Sequence, residues 1–292
     1  MRKPSIDLKY DFAFKYLLGV DENKRFLIRF LNDVLQPDRE IESVEIGNGE
    51  NPGTYVGDKK SILDIRARTD TGTYVNIEIQ VGEQQFIDKR MLYYWSKVYG
   101  SQLAQSEQYT LLNKTIGISI LNYKLNANQS FKYHTKYALK ELEKDFLLTD
   151  IMELHIIELP LFKDYFKKND GNVPLKEDFW WLLLTAMNKN GLDEVIYNKI
   201  EELVIGGDDL MKDVMQHWHK MSKEEAERYW QEGLGQEMAY YDANIKKDIE
   251  IEIKENQLNK LIQNGKLSKD EIRNIIDLDP EVFEILYNRN KK

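Results

Sequence analysis

Two stretches close together in the chain decide the fold: Ser61-Ile62-Leu63-Asp64-Ile65-Arg66-Ala67 and Thr73-Tyr74-Val75-Asn76-Ile77-Glu78-Ile79-Gln80-Val81. Both are rich in β-branched and aliphatic residues, which predicts a β-strand for each. The segment between them, Thr69-Asp70-Thr71-Gly72, is typical of a tight turn, so the strands are predicted to be neighbours in one sheet. An acidic side chain on each strand, Asp64 and Glu78, can then converge on one divalent cation.

The chemistry of phosphodiester hydrolysis gives this pattern its interpretation. The reaction requires an activated water and neutralisation of charge at the phosphorus, and one or two Mg²⁺ ions supply both. Mg²⁺ prefers oxygen ligands, usually one or two carboxylates together with water and substrate phosphate. Asp64 and Glu78 are suitable carboxylates, and the backbone carbonyl of Ile79 is a third candidate ligand. The pattern therefore indicates a metal-dependent nuclease more than any other enzyme.

Strand alternation assigns a direction to each side chain of the second strand. Glu78 and Gln80 share one face, which we expect to line a cleft, while Ile77 and Ile79 share the other, which we expect to face the core. Gln80 can orient the attacking water or hold a phosphate oxygen, but an amide cannot act as a charged general acid. Pairs of acids on half-exposed strands also occur without any metal, so this alternative stays open.

Asp11 and Lys15 lie one helical turn apart in a predicted first helix, so both side chains can point to the same place. In the functional interpretation, Asp11 joins the acidic cluster as a catalytic residue and Lys15 contacts phosphate. In the alternative interpretation, the two residues form an ordinary surface ion pair. The residue types alone favour neither.

Other basic residues are candidates for contacts with a DNA backbone. Lys59 and Lys60 place positive charge close to Asp64 in the chain, which suits phosphate. Arg90 and Lys97 lie on one predicted helix with Tyr94 between them, and either can contact phosphate. A solvated helix face with a buried Tyr94 explains Lys97 at least as well.

The four histidines are weaker candidates. His217 and His219 lie two residues apart in a predicted helix and face different ways, so a shared metal is not expected. His134 and His155 have no evident partner in the sequence, which favours structural roles.

Composition limits the classes of protein to consider. The 292 residues carry a formal net charge of −9 and include no cysteine, so disulfides and thiolate metal sites are excluded, which fits a cytoplasmic protein. The first half of the chain, which holds Asp64 and Glu78, is nearly neutral, and the acidity lies in the second half. The charge neither favours nor excludes DNA, because binding depends on local basic surface. No stretch approaches the ~18 apolar residues of a membrane span.

The pattern of the first 160 residues predicts a mixed sheet flanked by helices in the order αβββαβ. A second helix, capped by Asp21 or Asn23 and ending near Leu35, also precedes the strands. The remaining predicted elements are helix 11–18, strand 41–46, helix 86–105 and strands 115–121, 131–137 and 152–159.

After Pro160 the character of the sequence changes. Residues 161–245 are rich in Trp, Tyr and Leu and predict helices throughout, and residues 246–292 predict a helical tail that can pack on a partner. In the tail, Ser268 and Glu271 have the spacing of a capping box. We therefore expect a core over residues 1–160, a helical region over 161–245 and a C-terminal tail over 246–292.

Five motifs that follow in order resemble a known family. They are Asp11-x-x-Phe14-Lys15, Asn23-Lys24…Phe30-Leu31-Asn32, Asp58-Lys59-Lys60-Ser61-x-Leu63-Asp64, Asn76-Ile77-Glu78-Ile79-Gln80 and Arg90-x-x-x-Tyr94-Trp95-Ser96-Lys97. Over roughly residues 5–160 the chain resembles the PD-(D/E)XK nuclease family transposases, a group related to the Rpn recombination-promoting nucleases. The resemblance implies a restriction-endonuclease-like α/β fold with a helical C-terminal region. It also implies an enzyme that cuts DNA with Mg²⁺, for which Mn²⁺ can substitute.

The resemblance assigns roles to individual residues. Asp64 takes the aspartate role and Glu78 the acidic role of the (D/E)xK element, so both are expected catalytic residues and metal ligands. Gln80 stands where the superfamily usually has lysine, although Glu-x-Gln is usual in this subgroup. An amide positions water but does not stabilise charge as lysine does, so the departure concerns the rate more than the site. The family pattern also favours a functional Arg90.

Three hypotheses follow. The first is a Mg²⁺-dependent DNA endonuclease, linked to recombination, mobile elements or phage defence, that works as a homodimer in which two sites serve two strands. The second is a catalytically weak or inactive protein of the same fold, which binds DNA or regulates through oligomerisation. The third is an interaction protein whose helical tail drives oligomerisation.

Overall fold

The computed structural model describes residues 3–4, 6–47, 65–82, 86–104, 106–125, 132–221, 254–255, 257–265, 267–278 and 280–290. The chain divides into two compact units, residues 1–230 and 231–292. The division into three parts expected from the sequence stays a prediction, but strands from the expected core and helices from the expected helical region build one hydrophobic core.

A six-stranded mixed sheet organises the first unit. Its strand order is β1-β2-β3-β4-β6-β5, in which β3, β4 and β6 run parallel and the other pairs are antiparallel. The strands are β1 Val44–Gly47, β2 Ile65–Thr69, β3 Tyr74–Gln80, β4 Thr115–Leu121, β5 His134–Ala138 and β6 Met152–Glu158. The predicted mixed sheet is confirmed, although β1 begins three residues later than the expected Ile41.

The tight turn between β2 and β3 is also confirmed. Gly72 adopts a φ of +83°, a left-handed conformation that favours glycine, and its amide donates to the Thr69 carbonyl at 2.9 Å. The Thr69 amide in turn donates to the Thr73 carbonyl at 2.9 Å. The turn therefore fixes the antiparallel register in which Ile65 faces Ile77.

Helices flank the sheet and follow it in the chain. Among the described residues of the first unit they are α1 Asp11–Leu18, α2 Lys24–Leu35, α3 Ile87–Gly100, α4 Leu159–Lys168, α5 Asp178–Thr185, α6 Glu194–Gly206 and α7 Asp209–Lys220, with 3₁₀ turns at Asp21–Asn23 and Tyr109–Leu111. The expected cap of α2 is wrong, because the Asn23 side chain donates to the Tyr16 carbonyl at 2.9 Å and does not cap the helix. The prediction of helices throughout residues 161–245 is wrong for a short hairpin, β7 Met187–Asn188 and β8 Gly191–Leu192.

The two faces of the sheet are covered differently. One face carries an unbroken set of aliphatic side chains that pack with α1, α2 and α5 in the main core: Ile65, Ala67, Val75, Ile77, Ile79, Ile116, Ile118, Ile120 and Ile157. On the other face Leu121 and Ile156 pack with Ile87 and Met91 of α3. The Trp95 indole of α3 donates to the Thr115 carbonyl at 2.8 Å, which ties this helix to β4. The polar side chains of β3 point to the α3 face.

A chain of hydrogen bonds between buried side chains joins β5, β6 and the start of α5. Glu177 Oε2 lies 2.8 Å from His134 Nδ1. His134 Nε2 lies 2.8 Å from His155 Nδ1, and His155 Nε2 lies 2.7 Å from Glu153 Oε1. The two histidines that lacked an evident partner in the sequence are therefore partners of each other.

At the Glu153 end of this series of hydrogen bonds, several charged side chains meet. Lys114 Nζ and Lys136 Nζ lie 2.7 and 2.6 Å from the two Glu153 oxygens. Burial acts to raise the pKa of Glu153, but hydrogen bonds from His155 and the two lysines outweigh it and hold the pKa well below its usual range. Burial lowers the pKa of His155, which favours its neutral form.

The second unit has a small core of its own. In it, residues 254–255 and 257–264 are helical, followed by α8 Lys269–Ile275 and α9 Pro280–Asn290. Leu258, Ile272 and Phe283 are fully buried together. The predicted capping box is confirmed: the Ser268 hydroxyl accepts from the Glu271 amide, and the Glu271 carboxylate accepts from the Ser268 amide at 2.8 Å.

Candidate functional site

The candidate site lies at one edge of the sheet. Because β3, β4 and β6 are parallel, their carboxyl ends meet at the same edge, and the antiparallel β2 begins there at Ile65. In open α/β sheets, ligands bind in the crevice outside the carboxyl ends of the strands. Glu78 and Gln80 occupy this end of β3, and Asp64 directly precedes Ile65 in the chain.

Glu78 is the best defined of the predicted site residues. Its side chain is 2% exposed and points to the α3 face, where Arg90 Nε lies 3.8 Å from Oε2. Asn76 Nδ2 donates to Glu78 Oε1 over a long 3.5 Å. The Arg90 guanidinium also lies over the Tyr94 ring, 5.0 Å from its centroid. The structure thus brings together the predicted metal ligand and one predicted phosphate-binding residue.

The expected cleft is more closed than the sequence suggested. Gln80 shares the face of Glu78, as strand alternation predicted, and Ile77 and Ile79 lie in the main core. Glu78 and Gln80 are nevertheless both buried, because α3 covers this face of β3. Arg90 is the described side chain that reaches from α3 to the carboxylate, and it remains 20% exposed.

The backbone hydrogen bonds of β3 give the direction of the Ile79 carbonyl, whose ligand role stays a prediction. The Gln80 carbonyl accepts a hydrogen bond from the Asn122 amide at 2.9 Å, so it points toward β4. Successive carbonyls of a strand point in opposite directions within the sheet. The Ile79 carbonyl therefore points to the other side, on which β2 lies and Asp64 precedes it.

Lys15 approaches the same strand start from the opposite face. A Cβ atom placed on Gly19 would lie 3.0 Å from Lys15 Cγ and 3.1 Å from Ile65 Cγ1, so the end of α1, Gly19 and the start of β2 are in close contact. The stem of Lys15 thus lies beside Gly19 on the core face of the sheet, while Glu78 points to the α3 face.

Replacing Gly19 by alanine tests this close approach. The added Cβ would lie 2.9 Å from the Lys15 carbonyl oxygen, a backbone atom that cannot rotate away. We expect Gly19→Ala to lower the free energy of unfolding by roughly 1–3 kcal/mol, as overpacking usually does. Chemical denaturation measures the loss, and Gly100→Ala, at which a Cβ meets no atom within 4 Å, is the matched control. Equal stability of both variants would contradict the packing.

Several predicted site residues lie outside the described residues. They are Asp64, Lys59 and Lys60, and of Asp11 only the backbone, at the start of α1, is described. Among the described residues, no group of three or more acidic, histidine or cysteine side chains could hold a metal ion. The convergence of Asp11, Asp64 and Glu78 stays a prediction.

Sequence reasoning missed two polar residues of the site. Asn76 is buried on the face of Glu78, and Arg66 of β2 lies directly opposite Asn76. The signal was available, because Asn76, Glu78 and Gln80 alternate with isoleucines and valine in one strand. The position of Arg66 required the register between the strands, which the turn at Gly72 supplies.

Comparison with known proteins shows the family of the chain. A family model described as PD-(D/E)XK nuclease family transposase matches residues 8–250. No curated protein and no solved structure matches the chain. No helix among the described residues is long and apolar enough to cross a membrane. The mixed sheet with its flanking helices is a restriction-endonuclease-like α/β fold, and the chain belongs to the PD-(D/E)XK nuclease family transposases.

Proposed function

We propose that this protein is a metal-dependent DNA endonuclease whose site is built on β2 and β3. The observation that carries the proposal is the register of these strands, in which Ile65 lies opposite Ile77. Continued by one residue, the same register would set Asp64 opposite Glu78. Side chains at opposed positions of an antiparallel pair have Cβ atoms about 5 Å apart, which is close enough for two carboxylates to share one ion.

The available donor atoms fit Mg²⁺, with Mn²⁺ as a substitute. Glu78 and Asp64 offer carboxylate oxygens and Ile79 offers a carbonyl oxygen, so all three candidate ligands are hard oxygens. A bound ion of this kind would activate water and neutralise charge at the phosphorus. Glu78 lies on the α3 face with Arg90 Nε 3.8 Å from its carboxylate, so a bound ion would share this carboxylate with the guanidinium.

The other residues would orient the reactants. Gln80, on the face of Glu78, would hold the attacking water or a phosphate oxygen by hydrogen bonds. Arg90 would balance the charge of Glu78 and, through its exposed part, contact the DNA backbone. Lys15 would meet phosphate at the start of β2, and Asp11 would add to the acidic cluster.

Two further features belong to the same proposal. Lys59 and Lys60 would supply positive charge for DNA close to Asp64. A homodimer would let two sites act on the two strands of a duplex, in recombination, mobile-element movement or phage defence. The proposal also assigns the protein to the Rpn-like recombination-promoting nucleases and to the cytoplasm.

The direct test is the metal dependence of cleavage. We expect the purified protein to nick or linearise supercoiled plasmid with Mg²⁺ or Mn²⁺ and to leave it intact with EDTA. Calorimetry in the absence of DNA should show binding of the same ions. A protein that binds plasmid DNA but neither binds these ions nor cleaves would refute the proposal and favour the alternative, a nuclease-fold DNA-binding or regulatory protein.

A further inference from the structure

Arg66 presents an unusual guanidinium. Its Nε and Nη2 atoms are inaccessible to solvent, and neither has a hydrogen-bond partner among the residues that the structure describes. These two nitrogens form one edge of the group, the edge that binds a carboxylate or a phosphate side-on with two parallel hydrogen bonds. Nε–H and Nη2–H of Arg66 therefore form a pair of parallel donors that can bind an oxyanion, which we call the oxyanion fork.

The described neighbours of Arg66 in the sheet make no hydrogen bond to this pair of donors. In the sheet, Arg66 lies between Gly47 of β1, which has no side chain, and Asn76 of β3. The Asn76 Oδ1 atom is also buried without a hydrogen-bond partner in the described part of the chain. Glu78 is the diagonal neighbour of Arg66 on the same face, so the two side chains start from adjacent positions of the sheet.

An arginine edge that is shielded from water and has no acceptor is unfavourable, because the lost hydration is not replaced. Glu78, the carboxylate that β3 places on this face, already contacts Arg90 and Asn76. The fork thus suits an oxyanion that arrives from outside and fits a planar pair of donors, as a phosphate does.

We infer that Arg66 binds a backbone phosphate of the nucleic acid through Nε and Nη2, next to the phosphate that is cleaved. The identity of the anion as nucleic acid rests on the proposed function, whereas the oxyanion fork itself does not. Arg66 would hold the strand in register with Glu78, so it acts as a positioning residue for the reaction.

Arg68 offers a matched control. It lies two residues along β2 on the same face, carries the same charge and is exposed, with its guanidinium 5.4 Å from the Tyr74 ring centroid. Arg66→Gln and Arg68→Gln therefore change the net charge equally, but only Arg66→Gln removes the two buried donors that lack a partner among the described residues. Arg66→Lys keeps the charge and removes the fork.

The first experiment measures the affinity of the full chain for duplex DNA by fluorescence anisotropy in EDTA over a range of salt. Arg66→Gln should weaken binding by roughly tenfold or more and reduce the slope of log K against log salt by about one. Arg66→Lys should remain several-fold weaker than wild type, and Arg68→Gln should change the affinity by less than about threefold.

The second experiment uses inorganic phosphate and does not depend on nuclease activity. Phosphate should raise the unfolding temperature of wild type and Arg68→Gln above that in chloride of equal ionic strength, but not that of Arg66→Gln. If Arg66→Gln does not unfold cooperatively, Arg66→Lys decides the same comparison. Equal responses of the Arg66 and Arg68 variants in both experiments would overturn the inference, even if wild type cleaves DNA. A wild type that fails to cleave, but binds DNA and phosphate through Arg66, would refute only the proposed nuclease.

Discussion

Glu78→Gln should lower the rate of plasmid cleavage by about 10³-fold, equivalent to roughly 4 kcal/mol of transition-state stabilisation. Glutamine keeps the shape of the side chain and can still accept from Asn76, but it removes the charge that would hold the proposed ion. Asp64→Asn, which removes the other proposed carboxylate ligand, should cause a loss of the same order. Initial rates of nicking at saturating Mg²⁺ measure both effects.

The controls separate loss of chemistry from loss of structure. Glu45→Gln removes an exposed carboxylate of β1 and should leave the rate within about twofold of wild type. Glu78→Gln should still unfold cooperatively and bind DNA in EDTA, while calorimetry should show that Mg²⁺ binding is lost. Retained Mg²⁺ binding in Glu78→Gln would show that the ion, if one is used, is held elsewhere.

The strand that carries Glu78 shows which features of the site can be predicted from the sequence and which cannot. Alternating isoleucines placed Ile77 and Ile79 in the core and the polar side chains on the opposite face, and both expectations agree with the structure. Alternation gives two faces but does not say what covers them. The burial of Glu78 beneath Arg90 depends on how α3 packs on β3 and β4, a contact between elements that no local pattern contains.

A local turn signal for the hairpin β7–β8 is present in the sequence but was not used in the prediction of helices. The hairpin within the helical region contains Asn190-Gly191, and Gly191 adopts a φ of +100°. The two-residue loop of the hairpin is Lys189-Asn190, and the glycine directly after Asn190 is a local turn signal, so this interruption could have been predicted. The surrounding sequence is apolar and typical of helices. Strands of two residues are also too short to show a periodic pattern, so the hairpin was not predicted.

The pairing of His134 with His155 could not be predicted. The residues lie 21 positions apart on two antiparallel strands, and their contact depends on a register that pairs His134 with Ile157. The connection between these strands holds an additional isolated bridge, Lys140 to Leu147, so its length alone does not set the register. Only Glu153 and His155, two residues apart on one strand, were a local sign of an interacting pair.

This histidine pair leads to the largest expected effect on stability. His155→Leu should lower the free energy of unfolding by about 3–5 kcal/mol, because it removes the hydrogen bonds that the buried His155 makes with His134 and Glu153. Leucine fills much of the volume, so most of the loss is electrostatic. Chemical denaturation at neutral pH measures it. Lys136→Gln, which removes a half-exposed cation from Glu153, should lose about 1 kcal/mol or less.

The same series of hydrogen bonds determines which nitrogen of His155 carries a proton. The Glu153 carboxylate can only accept, so its hydrogen bond with His155 requires a proton on His155 Nε2. Since burial lowers the pKa of His155, that ring is neutral and its Nδ1 carries no proton. His155 Nδ1 therefore accepts from the Nε2–H of His134. A second proton on His155 would set its N–H against the N–H of His134.

Stability should consequently fall on acidification. The folded-state pKa of His155 lies below the unfolded value of about 6.5, so its contribution is complete above that pH and is lost as the pH falls below it, by at most ~1.4 kcal/mol per pH unit. Glu153 acts in the same direction, but only below its unfolded value of 4.5, so the two windows are distinct. Burial also lowers the pKa of His219, which shares the first window. Unfolding free energies between pH 7.5 and 5 should therefore lose part of their pH dependence in His155→Leu and a separate part in His219→Gln. A His155→Leu variant with the full wild-type slope would show that His155 takes up its proton in the folded protein as readily as in the unfolded chain.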